Sequence, residues 1–422
     1  MTDPTERPTS MLRSLGPGLL FAGAAVGVSH LVQATRAGAD FGLTLVWLVV
    51  LANVLKYPAF EAGARYTAAT GQSLLEGYRR RGKAALYLYL AVTLVTMCIV
   101  VAAVVALTAG LAATLISPAV PGWAWALGLV VVCCGLLVVG RFRLLEQLMK
   151  SLMVVLTVAT LVAVLAMVPR VDPSRLTLWP PWPQDVAALG FLAALVGWMP
   201  SAIDVAVWQS LWGLEKARTE GRRIRLREAL FDFRVGYVAT GALALGFVFL
   251  GAATLHTPGD PLPKNLSAAA FAGRLVDVYA QALGEWARPV ISVAGFATMF
   301  STTLSVLDGF PRALETAVDR LRGPEVEPAP RSATYWGAMA VCGVGGLTLM
   351  VWFAGSLTVL VDVATVMSFL TAPVLAALNL RAVTGAEVPA ADRPGRGLLA
   401  LHWVGLVLMA LFAAAYCVFR LT

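Results

Sequence analysis

Gly23-Ala24-Ala25-Val26-Gly27-Val28-Ser29-His30 and Gly197-Trp198-Met199-Pro200-Ser201 interrupt two otherwise apolar stretches of this 422-residue chain. Glycine and proline weaken or remove backbone hydrogen bonds in a helix. At the depth of a bilayer, such a break persists only where the freed groups line a cavity or meet a ligand. Either break alone reads as an ordinary kink. Both occupy the same ordinal position in the two halves of the chain, and polar residues follow each. Together they predict two discontinuous membrane helices with a binding site between their halves.

The composition is that of a membrane chain. Hydrophobic residues make up 59%, charged residues 13%, and the mean hydropathy is +0.78. A water-soluble domain carries about twice that charged share. Windows of about twenty residues place apolar spans near 17–35, 42–68, 84–113, 123–140, 144–168, 187–210, 235–255, 288–310, 334–353, 357–380 and 397–419. The fold class is therefore an all-α polytopic membrane protein of about eleven transmembrane helices. Breaks in the first and sixth spans are what a 5+5 inverted repeat predicts. The first repeat would be 17–168, the second 187–380, and 397–419 an extra helix, all within one transmembrane domain covering 1–422. Residues 16–25 run into an apolar stretch without a small-residue cleavage pattern, so no signal peptide is expected.

The net charge is +8, but the basic residues sit in short clusters beside apolar spans and form no stripe for nucleic acid. Arg79-Arg80-Arg81, Arg141 with Arg143, the runs at 216–227 and 312–322, and Arg393 with Arg396 all fall on one side. The positive-inside rule makes that side cytoplasmic, with the amino terminus inside and the carboxyl terminus outside a bacterial-type inner (plasma) membrane. Loops 117–122 and 354–356 carry no charge, those at 169–186 and 256–287 are mixed, and 214–228 reads as a solvated linker. Trp123, Trp125, Trp179 and Trp182 suit an interfacial belt. The five cysteines lack metal-ligand spacing and read as small buried hydrophobes.

Gly16-Pro17-Gly18, then Gly27-Val28-Ser29-His30, then Ala37-Gly38-Ala39-Asp40-Phe41-Gly42 resembles the first helix of the Nramp family of proton-coupled divalent metal transporters. Met199-Pro200 looks like the start of that family's Met-Pro-His-Asn motif, and Ala372-Pro373 resembles its Leu-Pro. The resemblance implies a LeuT-type fold and transport by alternating access. It also exposes departures. The family reads Asp-Pro-Gly-Asn where this chain has Gly27 to His30, so the metal-holding Asp and Asn are missing. Ser201 and Ala202 replace His-Asn, Ala206 replaces a second His, Thr365 replaces a Gln, and the third span carries no acid.

Those losses set the expected substrate. A hard or borderline divalent cation needs several oxygen or nitrogen ligands, normally with a carboxylate among them. Without one in the first break, the half-helix amino termini offer a positive field. A small anion such as bicarbonate, coupled to Na⁺ or H⁺, then becomes the expected substrate. Its binding residues would be Gly27, Ser29, His30, Met199, Ser201 and Ala202. The alternative is a proton-coupled divalent metal cation (Mn, Fe or Mg) held by Met199, His30 and Asp204. Ionisable groups inside spans are functional candidates by default. Asp204, Asp362, Lys56 and Glu61, with Thr365, are the candidates for the coupling ion or proton. Glu61 and Arg65 make a helical i, i+4 pair, and Asp308 could equally end a helix. A non-transporting sensor is the further alternative. No enzyme motif is found, and no cofactor is implied beyond a coupling ion. The expected partners are a small inorganic ion and the lipid bilayer, and a monomer would suffice.

Overall fold

The computed structural model describes residues 16–140, 143–170, 186–257, 259–263, 265–324 and 331–421. All its regular elements are helical. Span 1 is α1 (Pro17–Ala25), a break at Val26 and Gly27, Val28 in helical conformation, a π-helical turn (Ser29–Ala34) and α2 (Thr35–Phe41), with a 48° bend between its parts. Span 2 is α3 (Val46–Thr70), followed by the short α4 (Leu74–Arg80). Spans 3 to 5 are α5 (Lys83–Leu115), α6 (Gly122–Val139) and α7 (Arg143–Met167). Span 6 is broken into α8 (Val186–Gly197) and α9 (Val205–Thr219), and span 7 is α10 (Leu226–Thr254). After α11 (Ala268–Leu283), spans 8 to 11 are α12 (Ala287–Arg322), α13 (Ala333–Trp352), α14 (Leu357–Val383) and α15 (Arg396–Leu421).

Seven of the described helices are each long and apolar enough to cross a bilayer, and the bent pair of span 1 makes an eighth. Span 2 falls short on hydropathy because it carries Lys56, Glu61 and Arg65. Large apolar side chains stay exposed on the peripheral spans, such as Val131 and Val138 on α6 and Leu411 and Val418 on α15. They give the molecule a lipid-facing exterior.

Three readings of the sequence need adjustment. The loop at 256–287 contains α11, an amphipathic helix that buries Phe271, Leu275 and Tyr279 and starts at Ser267, whose hydroxyl accepts from the Ala270 N–H. The 214–228 linker shrinks to six residues, because α9 continues to Thr219 and α10 begins at Leu226. The basic run at 312–322 is the end of α12. At 36 residues that helix is about 54 Å long and outruns the hydrocarbon core. Arg141, Trp179, Trp182 and most of the 169–186 loop lie outside the described residues.

On the basic side, Arg81 donates to Glu387, and the Tyr66 hydroxyl donates to the other carboxylate oxygen at 3.3 Å. Gly385 leaves room for this pair, since a Cβ there would lie 1.9 Å from Arg81 Nη2. Burial pushes the Glu387 carboxyl up, but the hydrogen bond and charge of Arg81 prevail and hold it below the usual range. A carboxylate depressed on folding contributes stability above its unfolded pKa and loses it as pH falls through the folded one. Glu387→Gln is therefore expected to flatten the acid limb of the melting temperature between roughly pH 5 and pH 3. The effect should stay below about 1 kcal/mol, because Arg81 meets water. Melting curves from neutral to acid pH check this.

Candidate functional site

The two breaks face each other. Between them, backed by α5 and α12, lies a cavity of about 40 Å³, room for about two or three waters or a partly hydrated ion. Ser29 and Thr302 line it from one side, and Ser201, Ala202, Asp204 and Trp208 from the other. Asp204 is 2% exposed, and its Oδ1 has no hydrogen-bond partner. Trp208, one turn further along, has an unpartnered indole N–H. Buried polar atoms are almost always paired, so an orphaned carboxylate oxygen and an orphaned donor at one cavity mark a place for a ligand. Asp204 precedes the first residue of α9, where the positive end of the helix dipole eases its charge.

Lys56 holds the span 6 break. Its ammonium lies 2.7 Å from the Val196 carbonyl oxygen, 2.9 Å from Gly197, 3.2 Å from Met199 and 3.3 Å from Ser201. These include carbonyls that α8 leaves without helical partners at its end. Met199 is fully buried, does not line the cavity, and gives its carbonyl to Lys56.

His30 is turned away from the cavity. Its Nε2 meets the Thr240 carbonyl at 2.9 Å, which makes Nε2 the protonated nitrogen, and its Nδ1 lies 2.7 Å from Ser29 Oγ. The imidazole thus fastens span 1 to span 7. Gly27 packs on Thr302, whose methyl group would be 3.0 Å from a Cβ there. Of the six residues expected to bind substrate, Ser29, Ser201 and Ala202 reach the cavity, while Gly27, His30 and Met199 do not.

The remaining candidates are spread apart. Asp362 accepts from Arg36 Nη1 at 2.6 Å and Nη2 at 3.2 Å, and from Gln33 Nε2 at 3.0 Å. Thr365 accepts from the same Gln33 amide at 3.1 Å. This cluster ties the second half of span 1 to span 10, on the side away from the basic clusters. Glu61 accepts from Tyr57 at 2.5 Å and from Arg65 Nε at 2.8 Å, and Arg65 Nη1 reaches the Asp392 carbonyl at 2.6 Å. Asp308 gathers Arg312, Arg331 and Tyr335. Among the described residues, no group of three or more His, Cys, Asp or Glu side chains converges as a metal site.

A family model described as natural resistance-associated macrophage protein-like matches residues 18–419. This chain belongs to the Nramp family. An uncharacterized protein of Pasteurella multocida is 34% identical over 99% of this Nramp chain and 95% of its own length. A divalent metal cation transporter of Yersinia pestis is 35% identical over 81 residues, 19% of this chain and 20% of that one. The manganese transporter of Eremococcus coleocola superimposes with a TM-score of 0.68 at 15% identity, covering 98% of this chain and 87% of that one. Mhp1, a nucleobase-cation-symport-1 family transporter, follows at 0.55 and 14%, covering 99% and 95%. The fold is thus the LeuT-type transporter fold, and the chain is a multi-span membrane transporter.

Within this Nramp frame, the sequence reading passed over Trp208, Thr302, Gln33 and Arg36. An arginine inside an apolar span is itself a signal, and Asp362 is its natural partner. The amino-terminal end of α1 is also held by a distant acid. Asp232 on α10 accepts from the Gly16 N–H at 2.9 Å and the Gly18 N–H at 2.7 Å, satisfying donors a helix start leaves free. Asp232→Ala is expected to raise amide exchange across residues 16–20 by about tenfold, the equivalent of one cap. Hydrogen-exchange mass spectrometry reads this directly; unchanged protection there would remove the capping role.

Proposed function

We propose that this Nramp chain moves a small inorganic cation by alternating access through the cavity between its broken spans, with a hard divalent metal ion as cargo. The observation that carries this reading is the buried, unpartnered Oδ1 of Asp204 at the cavity. A carboxylate left unpaired in a low-dielectric site attracts a cation and repels an anion. The hydroxyls of Ser29, Ser201 and Thr302 and retained water would complete an oxygen shell, the manner in which Mg²⁺-like ions are held by one or two carboxylates. With the Met199 and His30 side chains turned away, the softer ligands are withdrawn, which favours Mg²⁺ or Mn²⁺ over thiophilic metals. The names of the relatives, divalent metal cation transporter and manganese transporter, support the same class. Competition between the ion and a proton for Asp204 would supply coupling. The basic side is assigned to the cytoplasm.

A small anion such as bicarbonate is the second reading, favoured by the free Trp208 indole N–H and the neighbouring serine hydroxyls. The Asp204 carboxylate weighs against it, and none of the similar proteins above is named for an anion. Uptake into proteoliposomes decides. Saturable Mn²⁺ or Mg²⁺ entry that carries protons is expected. Bicarbonate entry without metal flux would replace the cation reading, and binding without flux of either would indicate a sensor.

A further inference from the structure

Lys56 presents a separate problem. It lies midway along α3, is 1% exposed, and forms no ion pair with a carboxylate among the described residues. A buried charge without a counter-charge costs several kcal/mol unless oriented dipoles replace its water shell. Here four backbone carbonyl oxygens do so, converging within 2.7–3.3 Å of one nitrogen. Convergent carbonyls of this kind are how ion pathways hold a monovalent cation, and unwound helix ends are where transporters place one.

We propose that the four carbonyls of Val196, Gly197, Met199 and Ser201 form a monovalent-cation site permanently filled by the Lys56 ammonium. The side chain is a tethered replacement for a free alkali or ammonium ion, and it fixes the span 6 break without help from the medium. Lys56 is thus a positioning residue: it touches no substrate and sets where Ser201 and Asp204 stand. The proposal goes beyond the transport reading and holds whichever solute crosses.

Removing the ammonium while leaving space should expose the empty site. Full-length protein is compared with Lys56→Ala and Lys56→Met in detergent. Melting is followed in choline, sodium, potassium and ammonium chloride at one ionic strength. The parent should melt at the same temperature in all four. Lys56→Ala should melt roughly 5–10 °C lower in choline and recover at least half of that loss, saturably, in one or more of the small cations. Lys56→Met, which fills the space with an apolar chain, should be lowered and stay lowered. An alanine variant as stable as the parent in choline would overturn the proposal, as would one that no small cation raises above choline. A parent that itself gains as much from sodium or potassium would also overturn it, since the cation would then bind elsewhere. If Lys56→Ala aggregates on extraction in choline, recovery of monodisperse protein in potassium or ammonium is the readout. Aggregation in all four salts counts against the proposal. These readouts involve no flux, so a failed transport reading and a failed cation site remain distinguishable.

Discussion

Asp204→Asn protein in liposomes is expected to show Mn²⁺ or Mg²⁺ uptake reduced by at least 100-fold, while melting at or above the temperature of the parent. The two halves of that result come from one cause. A unit charge pair about 4 Å apart at an effective dielectric near 20 is worth roughly 4 kcal/mol, close to three decades in affinity. Asparagine keeps the shape and removes that attraction. In the empty protein the same carboxylate is a liability, because Oδ1 is buried without a partner and its charge must be borne by the fold. Neutralising it should therefore leave stability unchanged or raise it, the usual trade between site and scaffold. Uptake within threefold of the parent would remove Asp204 from the cation site. If bicarbonate is the substrate, Asp204→Asn should keep or raise its entry.

Gly38→Ala is expected to be among the most damaging single-methyl changes, lowering the melting temperature by 10 °C or more or leaving the protein aggregated on extraction. A Cβ on Gly38 would stand 2.0 Å from the Val248 carbonyl oxygen and 2.7 Å from the Ala252 nitrogen. From the facing helix, Gly251 would place its own Cβ 2.2 Å from the Thr35 carbonyl oxygen. Spans 1 and 7 thus meet backbone to backbone, the small-residue packing by which membrane helices approach closely. Neither backbone can give way as a side chain could, so overpacking should cost about 3 kcal/mol or more. Gly337→Ala, with nothing within 4 Å of its Cβ, is the control and should be neutral or slightly stabilising. Size-exclusion profiles and melts of the pair test this; equal behaviour would mean that α2 and α10 are free to separate.

The breaks were legible because glycine and proline at membrane depth have few uses, and the order of the spans followed from apolar windows read together with the Gly, Pro and basic clusters that punctuate them. Asp204 was legible as a carboxylate beyond a break, but its lack of a partner was not, since that depends on what neighbouring helices withhold. His30 shows the limit most clearly. Its place in the motif pointed to substrate, whereas the π-helical turn carries its ring to the Thr240 carbonyl, 210 residues away. Lys56 was visible as a buried charge, and a search for an acid as its partner would miss backbone carbonyls, which every residue possesses. The helix α11 escaped because twenty-residue averages blur an amphipathic period that Phe271, Leu275 and Tyr279 display.

Both halves of span 1 pack on span 7, but the polar groups that moor their outer ends differ. Asp232 on span 7 grips the start of α1, while Arg36 and Gln33 on the second half grip Asp362 on span 10. Val26 and Gly27, between the halves, are the joint. The two moorings share no residue, so releasing one breaks no bond of the other, and under the proposed transport the passage would be unsealed at one end with the opposite end still shut. A membrane that must keep its ion gradients needs that order of events, because two seals released together would make the carrier a leak.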